Sequence, residues 1–123
     1  MPSPETLFSY YGRVERLEFA PDLQRHLRNH RHNVRLTEIA EVRAQGLAKF
    51  FENTAAETGT SAGQATEVEL NRRAPIIMVG PTAAGRVLCI PIEPTGRFGA
   101  WRPISAYDAG EYLLGRYHGA SPQ

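Results

Sequence analysis

Apolar residues in the C-terminal half of the chain fall in short runs separated by glycine and proline. Runs of this length, bounded by turn residues, are typical of β-strands. The turns between them are short, and short turns join antiparallel neighbours. The pattern therefore predicts an antiparallel sheet that includes three strands, Pro75–Val79, Arg86–Ile92 and Ala100–Ser105.

The N-terminal half has helical spacing after one short, imperfectly alternating segment. Its apolar residues recur at three and four positions, as on one face of an amphipathic helix. The predicted elements are an edge strand within Val14–Phe19, a helix from Ala20 to about Arg31, a helix capped by Thr37 and stopped by Gly46, and a final helix over Asp108–Tyr117. Leu47–Phe51 either continues the second helix or forms another strand. Together these elements predict an α+β domain, with helices on one face of an antiparallel sheet of three to four strands.

Two segments lack apolar periodicity. Residues 1–12 contain two prolines and two serines and are predicted to form a flexible N-terminal arm. Residues 52–72 are rich in Thr, Ala, Gly and Glu, which predicts a long mobile loop. A single domain over residues 13–118 remains, which agrees with a chain of 123 residues.

Composition narrows the class of protein. With 41% apolar and 22% charged residues the chain resembles a water-soluble globular domain. No apolar run approaches the roughly 18–20 residues of a membrane span, and the N-terminus lacks a basic and then apolar leader. Cys89 is the only cysteine, so an internal disulfide is excluded, and its strand position predicts a buried thiol. We therefore expect a cytoplasmic protein without a membrane partner.

Basic residues concentrate in the segment Leu23–Arg35, although the net charge is only +1. Its arginines, the candidate nucleic-acid-binding residues, are Arg25, Arg28, Arg31 and Arg35. Such a face is typical of a solvated helix, and it also suits a phosphate backbone. His26 and His30 have the i, i+4 spacing of two metal ligands, but a third ligand would have to come from elsewhere.

A second group of candidates follows the predicted strands. Arg102 has apolar neighbours, which favours either an ion pair with a carboxylate such as Glu93 or a phosphate clamp. Arg86 allows the same two interpretations. Ser105 is interpreted as a helix N-cap or strand-end hydroxyl, and Tyr107 lies at a strand-to-helix junction where its side chain can reach a ligand.

Several short motifs occur in an order that resembles the BrnT-type toxins, a branch of the RelE-like ribonuclease toxins. The matching pieces are Leu27–His30, Thr37–Val42, Met78–Gly80, Gly85–Leu88, Arg102–Ala106 and Tyr117. They span about two thirds of the chain. The resemblance implies a RelE-like fold and RNA cleavage that needs no metal or other cofactor.

The resemblance also implies roles for particular residues. His30 would be the acid or base, because the pKa of histidine lies near neutrality. Arg86 and Arg102 would neutralise the phosphate, Tyr107 would donate a proton or stack on a base, and Ser105 would position the backbone. The implied partners are RNA and a small ribbon–helix–helix antitoxin. The chain would form a homodimer or a toxin–antitoxin hetero-oligomer.

Three residues depart from the family pattern at basic or small positions. Asn29 stands where the family has Lys, Arg31 follows the histidine in place of Gly, and Tyr107 stands where the family has Arg. If the family's RNA cleavage relies on basic groups at those places, this chain would cleave RNA weakly or not at all. A second interpretation therefore stays open: a catalytically silent module of the same fold that binds protein or nucleic acid.

Overall fold

The structure, a computed structural model, describes residues 3–29, 32–53 and 74–119. These residues form an α+β domain with four helices and six strands. The helices are α1 (Pro4–Tyr11), α2 (Leu23–Asn29), α3 (Leu36–Ala44) and α4 (Glu111–Gly119). The strands are β1 (Arg16–Leu17), β2 (Lys49–Glu52), β3 (Ile76–Pro81), β4 (Val87–Pro94), β5 (Ala100–Pro103) and β6 (Tyr107–Asp108).

The three strands predicted from the sequence are neighbours in one sheet. β3 pairs with β4 and β4 with β5, both antiparallel, as the short turns require. The strand order is β1-β5-β4-β3-β2, with β6 also on β4. The sheet is larger than the predicted three to four strands, and it is mixed because β1 runs parallel to β5. No short turn joins β1 to β5, so nothing local restricted their relative direction.

Helices cover both faces of the sheet, which corrects the prediction of one covered face. Leu88, Ile90 and Ile92 of β4 share a buried cluster with residues of α1, α2 and α3. Cys89 faces the other way, in a smaller cluster against which α4 packs. A strand buried on both faces needs apolar residues at successive positions, and β4 has them.

The N-terminal segment forms helix α1 where the sequence predicts a loose arm. Ser3 caps this helix by accepting a hydrogen bond from the backbone N–H of Thr6 at 3.3 Å. Leu7 and Phe8 are buried, and the Phe8 ring lies edge-on to Trp101 with centroids 5.9 Å apart. The partner that buries α1 is thus more than ninety residues away in sequence, so local patterning could not identify it.

Helix ends differ from the predicted ones by a few residues. α3 begins one residue before Thr37, and the cap interaction is a hydrogen bond from the Arg35 backbone N–H to Glu38 Oε1 at 3.0 Å. The final helix begins at Glu111 instead of Asp108, because Tyr107 and Asp108 pair with β4 as β6. Leu47–Phe51 resolves as strand β2, which starts at Lys49.

Most of the predicted 52–72 loop lies outside the described residues. The two described residues that flank this segment are hydrogen-bonded to each other, since the Asn53 side chain donates to the carbonyl of Ala74 at 2.7 Å. Within the described part of the chain, no helix is both long and apolar enough to cross a membrane.

Candidate functional site

A β-bulge separates β5 from β6 and aims a serine at helix α2. Pro103 lies opposite Ile92 and Tyr107 opposite Cys89, so residues 104–106 face only two residues of β4. An extra residue of this kind bends a strand and redirects its side chains. Ser105 sits at the centre of the bulge and is fully buried.

Ser105 hydrogen-bonds to His26, a residue that the sequence did not point to as catalytic. Its Oγ lies 3.1 Å from Nε2 of His26, and the tautomer of His26 decides which group donates. A buried hydroxyl in this position orients an imidazole and does not itself meet a ligand. The strand-end role predicted for Ser105 agrees with this contact.

Three rings form a row beside the bulge. The centroids of His26 and His32 are 6.3 Å apart, and those of His32 and Tyr107 are 5.3 Å apart. Tyr107 also hydrogen-bonds to the thiol of Cys89, which lies opposite it in the sheet. Burial raises the pKa of Cys89 to about 12 despite the hydrogen bond from Tyr107, so this thiol stays protonated. Cys89 is therefore the buried apolar residue predicted from its strand position.

A small cavity lies between α2 and β5, and we call it the α2–β5 cavity. Its volume is about 100 Å³, and His26, Arg102, Asp22 and Ile104 are among its lining residues. An imidazole and a guanidinium thus face the same space. A cavity of this size suits one phosphate-sized group.

Arg102 keeps hydrogen-bonding capacity at this cavity. Its Nη1 donates to Oε2 of Glu93 at 2.8 Å, so the predicted ion pair with Glu93 is confirmed. A guanidinium carries five N–H groups, and those on Nε and Nη2 make no hydrogen bond to a described residue. About one third of the side chain is exposed, so a bound anion can reach it.

Arg86 is occupied by protein groups on all three of its nitrogens. Its Nε and Nη2 donate to the two oxygens of Asp108 at 2.6 and 3.2 Å. Nη1 donates to the carbonyl of Asn33 at 2.9 Å and to Glu38, and Nη2 lies 3.4 Å from the carbonyl of His32. The hydrogen bond from Arg86 lowers the pKa of Asp108, which keeps this carboxyl ionised. Arg86 thus holds the backbone at His32 and Asn33 in place through hydrogen bonds to their carbonyls.

The two predicted clamp residues do not meet. Arg86 immediately precedes β4, whereas Arg102 pairs with Glu93 near the other end of that strand. At about 3.3 Å per residue, seven positions along β4 separate them by roughly 20 Å. The structure brings Arg102 to His26, and it brings Arg86 to the loop of His32.

The basic residues of α2 lie at the surface. Arg25, Arg28 and Arg35 are exposed, while His30 and Arg31 lie outside the described residues. The proposed acid–base role of His30 therefore remains a prediction. Within residues 3–29, 32–53 and 74–119, no group of three or more His, Cys, Asp or Glu side chains is placed to hold a metal ion.

One sequence signal could have pointed to His26. It follows Leu23 by three residues and precedes Leu27 by one, and both leucines are buried in the core. A polar residue at that spacing lies at the edge of the buried helix face, where it can reach the sheet. His32 carried no such signal, because it lies in a loop whose path depends on Arg86.

Comparison with known proteins gives no identity. No protein-family model matches the chain, and no curated protein matches it significantly.

Proposed function

We propose that this chain is a metal-free ribonuclease of the BrnT toxin type, with its reacting groups at the α2–β5 cavity. The observation that carries the proposal is that His26 and Arg102 both line one phosphate-sized cavity. His32 and Tyr107 continue the row of rings away from this cavity. Proton carriers next to a guanidinium are the groups that RNA cleavage by its own 2′-hydroxyl requires.

The reaction balances without an oxidant or a co-reactant. The 2′-oxygen bonds to phosphorus, and the bond from phosphorus to the 5′-oxygen of the next nucleotide breaks. His26 accepts the proton of the 2′-hydroxyl, and a proton from solvent water reaches the leaving oxygen. Arg102 neutralises the charge that develops on the phosphorane. Ser105 orients His26, and Arg86 positions His32 through its backbone carbonyl.

The surroundings of the cavity suit an RNA strand. Arg25, Arg28 and Arg35 are exposed on α2 and on the loop after it, where they can contact phosphates on either side of the cleaved bond. In this proposal the protein acts in the cytoplasm and is held inactive by a small ribbon–helix–helix antitoxin. That pairing rests on the resemblance to BrnT-type toxins.

A second candidate function is a catalytically silent binding module of the same fold. It is favoured by the carboxylates around Arg102, since Glu93 pairs with it and Asp22 lines the same cavity. Negative groups at this place weaken the binding of a phosphate. The nitrogens of Arg86 already donate to protein groups, so this arginine is not available to a phosphate. This also favours the silent module.

A cleavage assay with purified protein separates the two candidates. The full chain is incubated with RNA in a chelator, and we expect fragments that end in a 2′,3′-cyclic phosphate. His26→Gln is expected to lower the rate by about 10²–10⁴-fold, the usual contribution of a general acid or base. Arg102→Met is expected to lower it by about 10²–10³-fold, as for other groups that stabilise a developing charge.

The matched control is Arg116→Met, which removes an exposed charge from α4 on the opposite face of the sheet. It should cleave at the parent rate. Full activity in a folded His26→Gln variant would refute the placement of the site. If the parent neither cleaves RNA nor arrests growth when expressed alone in bacteria, the silent module is the better description, and Tyr107→Arg tests whether a basic group restores cleavage.

A further inference from the structure

A second cleft lies on another face of α2, and we call it the α2–loop cleft. It has a volume of about 320 Å³ and is lined by Gln24, Leu27, Arg28, Asn33, Val34 and Arg35. This volume is at the lower end of the range for small-ligand sites, about 300–1,000 Å³. It is about three times the volume of the α2–β5 cavity, so it can take a larger group than a phosphate.

The lining of this cleft combines apolar and hydrogen-bonding surfaces. Leu27 and Val34 are buried residues of the core cluster and form its apolar part. Arg28 and Arg35 are exposed guanidinium groups, and the amides of Gln24 and Asn33 add donors and acceptors. A free phosphate would not use the apolar part. A flat heteroaromatic ring with a polar edge uses both parts.

We propose that the α2–loop cleft binds one unpaired nucleobase of the RNA strand, with guanine preferred. Proteins read single-stranded RNA by stacking splayed bases on arginine planes and by hydrogen-bonding their edges. Guanine presents two acceptors, O6 and N7, that match the fork of an arginine such as Arg28. This inference rests on the proposed function, because it makes the cleft a sequence-reading site for the same RNA.

The position of the cleft relative to the cavity supports this assignment. Leu23 and His26 line the α2–β5 cavity, whereas Gln24, Leu27 and Arg28 line the cleft. The two sites therefore lie on adjoining sides of the same short helix. A strand that crosses α2 can place one phosphate at the cavity and a nearby base in the cleft.

The wall of the cleft is held in place before any ligand binds. Asn33 has a φ of 53°, in the left-handed region that most residues avoid. Its carbonyl accepts a hydrogen bond from Arg86, and Gln24 Nε2 lies 3.5 Å from the carbonyl of Val34. Such a preformed wall reduces the ordering that binding would otherwise require.

The test uses 2′-O-methyl trinucleotides, which cannot be cleaved. Their central position carries guanine, cytosine or no base, and Kd is measured by fluorescence anisotropy with the full chain. We expect guanine to bind at least about 10-fold more tightly than the abasic trimer, since stacking of one base contributes to affinity. Arg28→Met should bring the ratio of these two Kd values towards one.

Two further variants make the test specific. Arg25→Met removes the same charge from α2 outside the cleft, so it should weaken all three trimers by a similar factor and keep their ratio. Asn33→Gly removes one amide while allowing the positive φ, and it should reduce the preference for guanine. The melting temperature of each variant is checked first.

The outcomes separate this inference from the proposed function. If the protein discriminates between the trimers but does not cleave ordinary RNA, the result supports the base-binding cleft and contradicts the ribonuclease activity. Cleavage without base discrimination contradicts the cleft and leaves the ribonuclease standing. Failure of every trimer to bind, or an Arg25→Met variant that loses the ratio as Arg28→Met does, overturns the cleft assignment.

Discussion

Arg86 and Arg102 have the same guanidinium group but different surroundings. Arg86 donates to two carboxylates and two backbone carbonyls, and only about a quarter of its side chain is exposed. Arg102 donates to Glu93 through one nitrogen and borders a cavity. The number of occupied N–H groups therefore separates a structural arginine from one that can still bind an anion.

This difference predicts opposite effects of the same substitution. Arg86→Met should lower the free energy of unfolding by about 1–3 kcal/mol at pH 7, because it removes charged hydrogen bonds and the cation that faces Asp108 and Glu38. Arg102→Met, with one ion pair to lose, should change it by less. Chemical denaturation of the parent and both variants measures this. Equal losses in the two variants would contradict the structural role of Arg86.

The stability difference between the parent and Arg86→Met should depend on pH. Arg86 lowers the pKa of Asp108 in the folded state. The pair therefore contributes stability above the unfolded-state pKa of Asp, about 3.9, and loses it as the pH falls through the lower folded-state value. The parent should approach the variant in stability as the pH is taken below about 4. A difference that grows in acid would contradict this pairing.

Among the elements, α1 shows most clearly how a distant contact builds local structure. Gly12 ends this helix with a φ of 87°, and its carbonyl accepts a hydrogen bond from Trp101 Nε1 at 3.0 Å. A Cβ at this position would lie 2.5 Å from the backbone nitrogen of Gly99. Glycine is therefore required both by the backbone conformation and by the close approach of Gly99, in the turn that precedes β5.

Alanine substitution at two glycines should separate these two requirements. Gly46 also has a positive φ, 70°, but a Cβ there would meet no atom within 4 Å. We expect Gly46→Ala to cost about 1–2 kcal/mol of stability from backbone strain alone. Gly12→Ala should cost about 1–3 kcal/mol more, because the added methyl group displaces the α1–β5 contact. Thermal and denaturant unfolding of both variants provide the comparison, and equal costs would contradict the close approach.

At the scale of the whole molecule, the exposed positive charge of α2 lies beside the α2–β5 cavity and the α2–loop cleft. The net charge of +1 does not reveal this local concentration of arginines, because acidic residues elsewhere in the chain offset them. Among the described residues of this side, Arg25, Arg28 and Arg35 are basic and exposed. Because bound counterions are released when arginines contact phosphates, such a surface makes RNA binding dependent on salt.

Changing all three arginines to alanine should therefore flatten the salt dependence of RNA binding. For single-stranded RNA each lost phosphate contact reduces the slope of log K against log salt by about 0.7. Because Arg28 is assigned to a base, the triple variant should lose at least about 1.4 units. Anisotropy titrations at several salt concentrations measure this slope. An unchanged slope would remove α2 from the RNA interface.

The control carries the same loss of charge away from α2. Arg13, Arg16 and Arg116 are exposed on α1, β1 and α4 or beside them, so their triple alanine variant matches the first in net charge. Its slope should stay near that of the parent. A similar flattening in both variants would indicate a general effect of charge instead of a defined interface.

Short-range patterns in the sequence determined most of the sheet and part of the site. The order of β3, β4 and β5 and their antiparallel pairing follow from short turns between apolar runs, which leave no other geometry. The ion pair of Arg102 with Glu93 was also predictable, because an arginine among apolar neighbours needs a carboxylate. The buried state of Cys89 follows from its place in an apolar run.

Only the tertiary structure decided which groups meet at the α2–β5 cavity and on α1. His26 reaches Ser105 across 79 positions of sequence, and Trp101 reaches Gly12 across 89. The bulge after β5 turns Ser105 towards α2, and Arg86 holds the loop of His32. Contacts of this kind depend on how helices and strands dock, and the energy of docking comes from surfaces distributed over the whole chain. Periodicity over a few residues describes the buried face of each element but not its partner, so the contact of His26 with Ser105 became visible only in the folded molecule.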